Sequence, residues 1–258
     1  MKIKNKWTDS YPSVFHLNGK TKFNRLGRRM WNELNHEVHN SVGLSHEKLR
    51  EDVSLCFLSW GYSELSMLEK SLAMFGLTYS NIADAGVLTK EMSNEEILST
   101  KIELLGRWLE KNNPKYIIGW DAGDVFFLNH PNRVVEVFEN EFDCDMLFNG
   151  ELEVYPMTAK YVYNDLKKIK EYNNGSKVFK YLNSGLFIVK SEFYREIYEE
   201  LMNTPLLPGD PADQGIFQQL YLKYFPRIQV DVDCKIFQST CMRKWARGRD
   251  HECLGVVE

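Results

Sequence analysis

The chain has 258 residues, 43% of them hydrophobic, which is enough for one large domain with a substantial core. A formal net charge of −4 argues against a protein that coats nucleic acid over its whole surface, although it leaves room for a local basic patch. No apolar run approaches the ~18 residues of a membrane span and no signal-peptide core follows the first six residues. The five cysteines, an odd set without a CxxC pair, read as reduced thiols of a cytoplasmic protein.

The first 31 residues begin as a polar, basic strand-like piece. Val14 and Phe15 then run into His16, and Asn18-Gly19 supplies a turn, so the imidazole is expected at or just past a strand end. His16, the turn amides of Asn18 and Gly19, and the cation of Lys22 together suit a metal diphosphate. Residues 32–52 are polar, with His36, His39 and His46 at no metal-binding spacing, and read as a linker with solvated histidines.

A first buried strand is expected from the short apolar run Val53–Ser59, with Trp60, Gly61 and Tyr62 in the ligand-facing loop that follows. The next helix carries Leu65, Leu68, Leu72 and Phe75 as a core stripe and stops at Gly76. Ser93 and Glu96 form a capping box for another helix, whose inner stripe is Leu98, Ile102, Leu105 and Leu109. Tyr116, Ile117 and Ile118 start a second buried strand, so the first half is patterned as strand, helix, helix, strand, which is what a doubly wound parallel sheet produces.

That second strand is cut off by a turn carrying Asp121 and Asp124. Open α/β sheets place their ligands at such strand ends. Two carboxylates three residues apart repel unless a positive charge lies between them, and a hard divalent ion, Mg²⁺ or Mn²⁺, also neutralises substrate phosphates. Asp121 and Asp124 are therefore the leading metal ligands, although Asp-x-x-Asp alone is also an ordinary turn.

In the second half, the apolar run 145–151 ends on Glu151, and Lys160–Lys180 reads as a surface excursion. A strand through Phe179–Val189 is interrupted at Asn183, Ser184 and Gly185, where a missing side chain leaves space for a ligand against backbone. A helix runs from Ser191 to Leu201. Asp213 and Gln214 precede a helix with Ile216, Phe217, Leu220 and Tyr221, where Asp213 by itself reads as an N-cap. A closing strand, Ile228–Asp233, leads to Ile236, Phe237 and Gln238.

The ordered set of Asp121-x-x-Asp124, Phe148-Asn-Gly-Glu151, Tyr181-Leu-Asn-Ser-Gly-Leu-Phe-Ile188, Asp213-Gln214 and Ile236-Phe-Gln238 resembles the glycosyltransferase domain of the procollagen lysyl hydroxylase and collagen glycosyltransferase family, over about residues 52–240. The resemblance implies a single α/β domain of GT-A type, a Rossmann-like mixed sheet flanked by helices. It further implies a UDP-sugar donor and Mn²⁺ (or Mg²⁺) held by Asp121 and Asp124. Asn183, Asp213 and Gln214 would line the sugar and acceptor side, Glu151 would be the acidic residue near the acceptor, and Ser59 would contact the uridine.

Family members finish with a segment whose His is a third metal ligand, and residues 12–22 look like that segment moved to the N-terminus. The expectation is a circular permutation. Residues 1–31 are the displaced last strand and His motif, 32–52 the linker, and 53–258 the core, with the two termini adjacent and His16 beside Asp121 and Asp124. On this reading the enzyme moves a hexose to an acceptor hydroxyl on a hydroxylysine-like residue, a modified DNA base or a glycan. Asp213, Asp210 or Glu151 would orient or deprotonate that hydroxyl, with Asp213 preferred. A basic cluster, Lys20, Lys22, Arg25, Arg28 and Arg29, offers a phosphate-binding face. A metal-dependent phosphohydrolase and a non-catalytic nucleotide-sugar-binding module are the alternatives.

Overall fold

The computed structural model describes residues 2–17, 32, 47–60, 65–86, 88–89, 91–93, 96–97, 100–169, 172, 178–208, 213–239 and 254–257. In chain order the strands are β1 (Lys2–Asn5), β2 (Val14–His16), β3 (Val53–Leu58), β4 (Ser80–Asn81), β5 (Tyr116–Asp121), β6 (Val125–Phe127), β7 (Met146–Glu151), β8 (Tyr181–Lys190), β9 (Ile228–Asp231), β10 (Phe237–Ser239) and β11 (Leu254–Val257). The α-helices are α1 (Met67–Ala73), α2 (Lys101–Leu109), α3 (Pro131–Glu141), α4 (Lys160–Leu166), α5 (Ser191–Asn203) and α6 (Gln214–Tyr224).

Six strands form the main sheet in the order β4-β3-β5-β8-β7-β9. β3 runs parallel to β4 and β5, β7 parallel to β9, and β8 lies antiparallel between β5 and β7, so the sheet is mixed, as expected from the resemblance. Both faces are covered, which explains the near-continuous apolar runs of the central strands. Successive residues point to opposite sides. Cys56, Ile117, Phe148 and Phe187 face a cluster with α2, α4, α5 and α6, whereas Leu55, Ile118, Leu147 and Ile188 face one with α1 and α3.

A smaller sheet, β10-β2-β6, packs on the second face. β2 runs parallel to β10 and antiparallel to β6, with His16 opposite Val125. The turn between β5 and β6 is thus the point where the chain leaves the large sheet for the small one. β1 pairs antiparallel with β11, Lys2 opposite Val257, bringing the two ends of the chain together.

Two expectations are corrected. Leu65 is 59% exposed rather than core, because α1 starts only after Ser66, which forms a capping box with Glu69. The Lys160–Lys180 stretch is in part structural: Val162, Tyr163 and Leu166 of α4 are buried, and the Tyr163 hydroxyl accepts from Leu182 N at 3.0 Å. The capping box of Ser93 and Glu96 is present as expected, and Ile102, Leu105 and Leu109 are buried.

Candidate active site

Asp121 is the last residue of β5, and three residues later Asp124 enters β6. The turn is pinned on both sides. Ala122 N donates to Leu58 O at 3.2 Å, and Leu17 N donates to Asp124 O at 2.8 Å. β2 therefore delivers His16 onto the carboxylate turn. Its Nε2 is 3.3 Å from Asp124 Oδ1 and 3.9 Å from Asp121 Oδ2, and one ligand atom from each of the three residues falls within 4.8 Å of the others.

This donor set fits a divalent ion. Adjacent ligands on an octahedral ion with bonds of about 2.1 Å sit about 3 Å apart, so small side-chain movements would bring these three donors onto one ion, and two carboxylates with one imidazole are hard-to-borderline donors suited to Mn²⁺ or Mg²⁺. The imidazole is nearly sealed from solvent. Burial disfavours its charge, but Asp124, Asp121 and the Asn183 hydrogen bond outweigh that and hold its pKa above the ordinary value.

Lys101, which the sequence reading did not single out, is the second feature of the site. Its side chain is 2% exposed, and its ammonium lies 2.5 Å from Asp121 Oδ1 and 3.9 Å from Asp213 Oδ1. Asp213 stands at the N-cap position of α6, but its side chain makes no capping bond. It turns inward, accepts from Trp120 Nε1 and faces the ammonium. Burial pushes the Asp213 carboxyl up to about 6 despite the opposing pull of Lys101. The Lys101 ammonium and the two carboxylates beside it therefore depend on one another.

The remaining predicted residues lie beside this core. Glu151 ends β7 and is 6% exposed; its Oε1 accepts from Gln214 Nε2 at 3.0 Å and its Oε2 from Asn183 Nδ2 at 3.3 Å. Gln214 also donates to Tyr155 O and accepts from Ser184 N. Asn183 Oδ1 meets His16 Nδ1 at 2.9 Å, so a continuous polar chain runs from His16 through Asn183 and Glu151 to Gln214. Ser59 follows β3 at the same end of the sheet, its backbone clipped to the Asn81 amide on both sides. The space at Gly185 is not open to a ligand: it is filled by the His16 ring. Asn18, Gly19, Lys22, Asp210 and the basic cluster from Lys20 to Arg29 lie outside the described residues.

Elsewhere, two surface clefts of about 670 and 410 Å³ surround the far end of α2 near Asn112, away from the carboxylate turn. Cys56, Cys144 and Cys234 are buried free thiols; burial raises the Cys56 thiol strongly and the Cys144 thiol to about 12. Among the described residues no helix is long and apolar enough to cross a membrane.

Residues 63–244 match the family model described as the PLOD GT domain. A crystal structure of mouse xyloside xylosyltransferase 1 in its apo form is similar over 76% of this chain and 79% of its own, at 15% sequence identity and a TM-score of 0.41. No curated protein matches the chain.

Proposed function

The chain belongs to the PLOD glycosyltransferase-domain family, which matches it over residues 63–244, and on that basis we propose that it is a metal-dependent transferase moving a hexose from a UDP-sugar to an acceptor hydroxyl. The observation that carries the metal dependence is the convergence of His16, Asp121 and Asp124, three donors brought together from two strands and a turn. A divalent ion held there would supply positive charge at the diphosphate of the leaving UDP.

The chain's own groups divide around that point. Ser59, at the end of β3, is assigned to the uridine, and Asn18, Gly19 and Lys22, which follow His16 in sequence, to the diphosphate. Asn183, Asp213 and Gln214 are assigned to the sugar side. Asp213, the group first preferred to orient or deprotonate the acceptor hydroxyl, is engaged by Lys101 and Trp120, so that role passes in this reading to Glu151, which is held by two side-chain amides. The acceptor class is a hydroxylysine-like residue, a glycan or a modified DNA base. A cytoplasmic setting accords with the three buried free thiols. A phosphohydrolase working through two ions would want a second convergent donor set, and one set is present among the described residues.

The order of the pieces is proposed to be a circular permutation: 1–31 is the displaced final strand and His motif, 32–52 the linker, 53–258 the core. What supports it is the pairing of Lys2 with Val257, the insertion of β2 between β10 and β6, and the position of His16 outside the matched segment yet against Asp124. A chain rearranged to run 53–258 and then 1–31, without the linker, is expected to fold and to bind Mn²⁺ like the natural one; an unfolded product would count against the permutation.

Calorimetry with UDP tests the donor assignment. UDP is expected to bind at least tenfold more tightly with Mn²⁺ than with EDTA, and Asp124→Ala should remove that difference. Equal UDP affinity in both conditions would refute metal-dependent donor binding.

A further inference from the structure

Gly185 has no room for a side chain. A Cβ placed there would lie 2.1 Å from His16 Cε1 and 2.7 Å from Nε2, so the imidazole occupies the volume that any other residue would fill. The notch falls in a bulge. β7 pairs with β8 through Phe148 and Phe187, then resumes at Asn149 and Asn183, leaving 184–186 unpaired on that side. Such bulges re-aim side chains next to functional sites.

The second contact to the ring comes from the same bulge. Asn183 Oδ1 accepts from Gly185 N at 3.0 Å, and a backbone N–H can only donate, so the atom there is the amide oxygen. The orientation is fixed again at the other end, where Asn183 Nδ2 donates to Glu151 Oε2. It follows that His16 Nδ1, 2.9 Å from the same oxygen, carries a proton. Nε2, the nitrogen facing Asp121 and Asp124, is then the one that can exchange its proton for an ion.

We propose that the β8 bulge is the positioning device of the metal site: Asn183 fixes the protonated nitrogen of His16, and bare Gly185 seats its ring so that Nε2 faces the two carboxylates. Neither residue touches the ion. Through the Asn183 amide the same device ties the metal ligand to Glu151, so the donor and acceptor sides share one rigid element. This inference rests on the reading of His16 as a metal ligand.

The test is Mn²⁺ affinity measured by electron paramagnetic resonance, together with ¹⁵N NMR of the imidazole in the Cd²⁺-loaded wild type. Removing an outer partner of a metal-bound His costs about 10–100-fold in affinity. Asn183→Leu and Gly185→Ala are each expected to weaken Mn²⁺ binding by about that factor. Asn183→Asp, which keeps an acceptor for Nδ1–H, is expected to restore most of it. In the Cd²⁺-loaded wild type, Nδ1 should carry the proton and Nε2 the metal, a result independent of how well any variant folds. Metal on Nδ1 overturns the proposal, as do Asn183→Leu and Gly185→Ala proteins that bind Mn²⁺ like wild type while His16→Ala and Asp124→Ala do not. A wild type that binds no Mn²⁺ overturns the metal reading itself, and this inference with it.

Discussion

Replacing Lys101 by Met removes the one ammonium that stands between Asp121 and Asp213, and the consequences can be worked from burial. The side chains of Lys101 and Asp213 are 2% and 1% exposed, while that of Asp121 keeps 29% of its surface in solvent. Asp121 can regain hydration, so the loss centres on Asp213. Breaking a buried charge pair by removing one partner costs about 3–5 kcal/mol. For a chain of this size each kcal/mol moves the melting temperature by about 2–4 °C, so Lys101→Met should melt about 6–20 °C below wild type in EDTA.

The pH dependence gives the sign. Asp213 has a folded-state value raised to about 6, above the ordinary carboxylate range, so the native state holds the extra proton in the window from about 4 to 6 and stability falls as pH rises through it. Lys101 is the largest of the influences that pull this value down. Without it the carboxyl rises further and the window extends to higher pH. The deficit of Lys101→Met should therefore widen from pH 5 to pH 8, and adding Asp213→Asn should recover most of it. A variant that melts within a degree or two of wild type at every pH would refute the interdependence of the two groups.

Three further outcomes follow from the same structure. Ser71→Ala removes the hydroxyl that accepts from Phe127 N at 3.0 Å in a fully buried seam between α1 and β6. That stranded N–H should cost about 1–3 kcal/mol in urea denaturation, and a loss below a few tenths would contradict the contact. Glu139 is held at about 2, chiefly by its forked hydrogen bonds from Arg50. Its stabilisation should be present above the ordinary carboxylate value and vanish as pH falls towards 2. Because the pair is partly exposed, only about 1 kcal/mol is expected after solvent screening. Comparison of wild type with Glu139→Gln between pH 2 and 5 would show a constant difference if this were wrong. For Asp124→Ala, the Mn²⁺-dependent part of UDP affinity should disappear while the metal-free part stays, as calorimetry would record.

Much of the site could be read in the sequence because strand ends and turn residues announce themselves locally. The apolar run into Asp121, the run into Glu151 and the Asn183-Ser184-Gly185 break each mark the same end of the central strands of the main sheet. Lys101 escaped because both its partners are far away in the chain. The signal was nevertheless present: Lys101 lies three residues after Leu98 and four before Leu105, on the inner stripe of its helix, where a charge needs a buried partner. Asp213 looked like a cap because its position is that of a cap; only the packing of Trp120 and Lys101 against it reveals the inward turn. Leu65 fits the helical spacing but precedes the N-cap Ser66, and the Ser66–Glu69 capping box, visible in the sequence, sets the start of α1 at Met67. The seat of His16 at Gly185 joins residues far apart in the chain, and no local pattern encodes it.

The central claim is that three donors, His16, Asp121 and Asp124, make this chain a metal-dependent user of UDP-sugars. The most direct measurement is UDP release from a panel of UDP-hexoses with Mn²⁺, with and without EDTA, in wild type, Asp124→Ala and His16→Ala. The account predicts release from one preferred donor that EDTA abolishes and that both substitutions reduce at least a hundredfold. Release that persists in EDTA, or that survives His16→Ala unchanged, would contradict it.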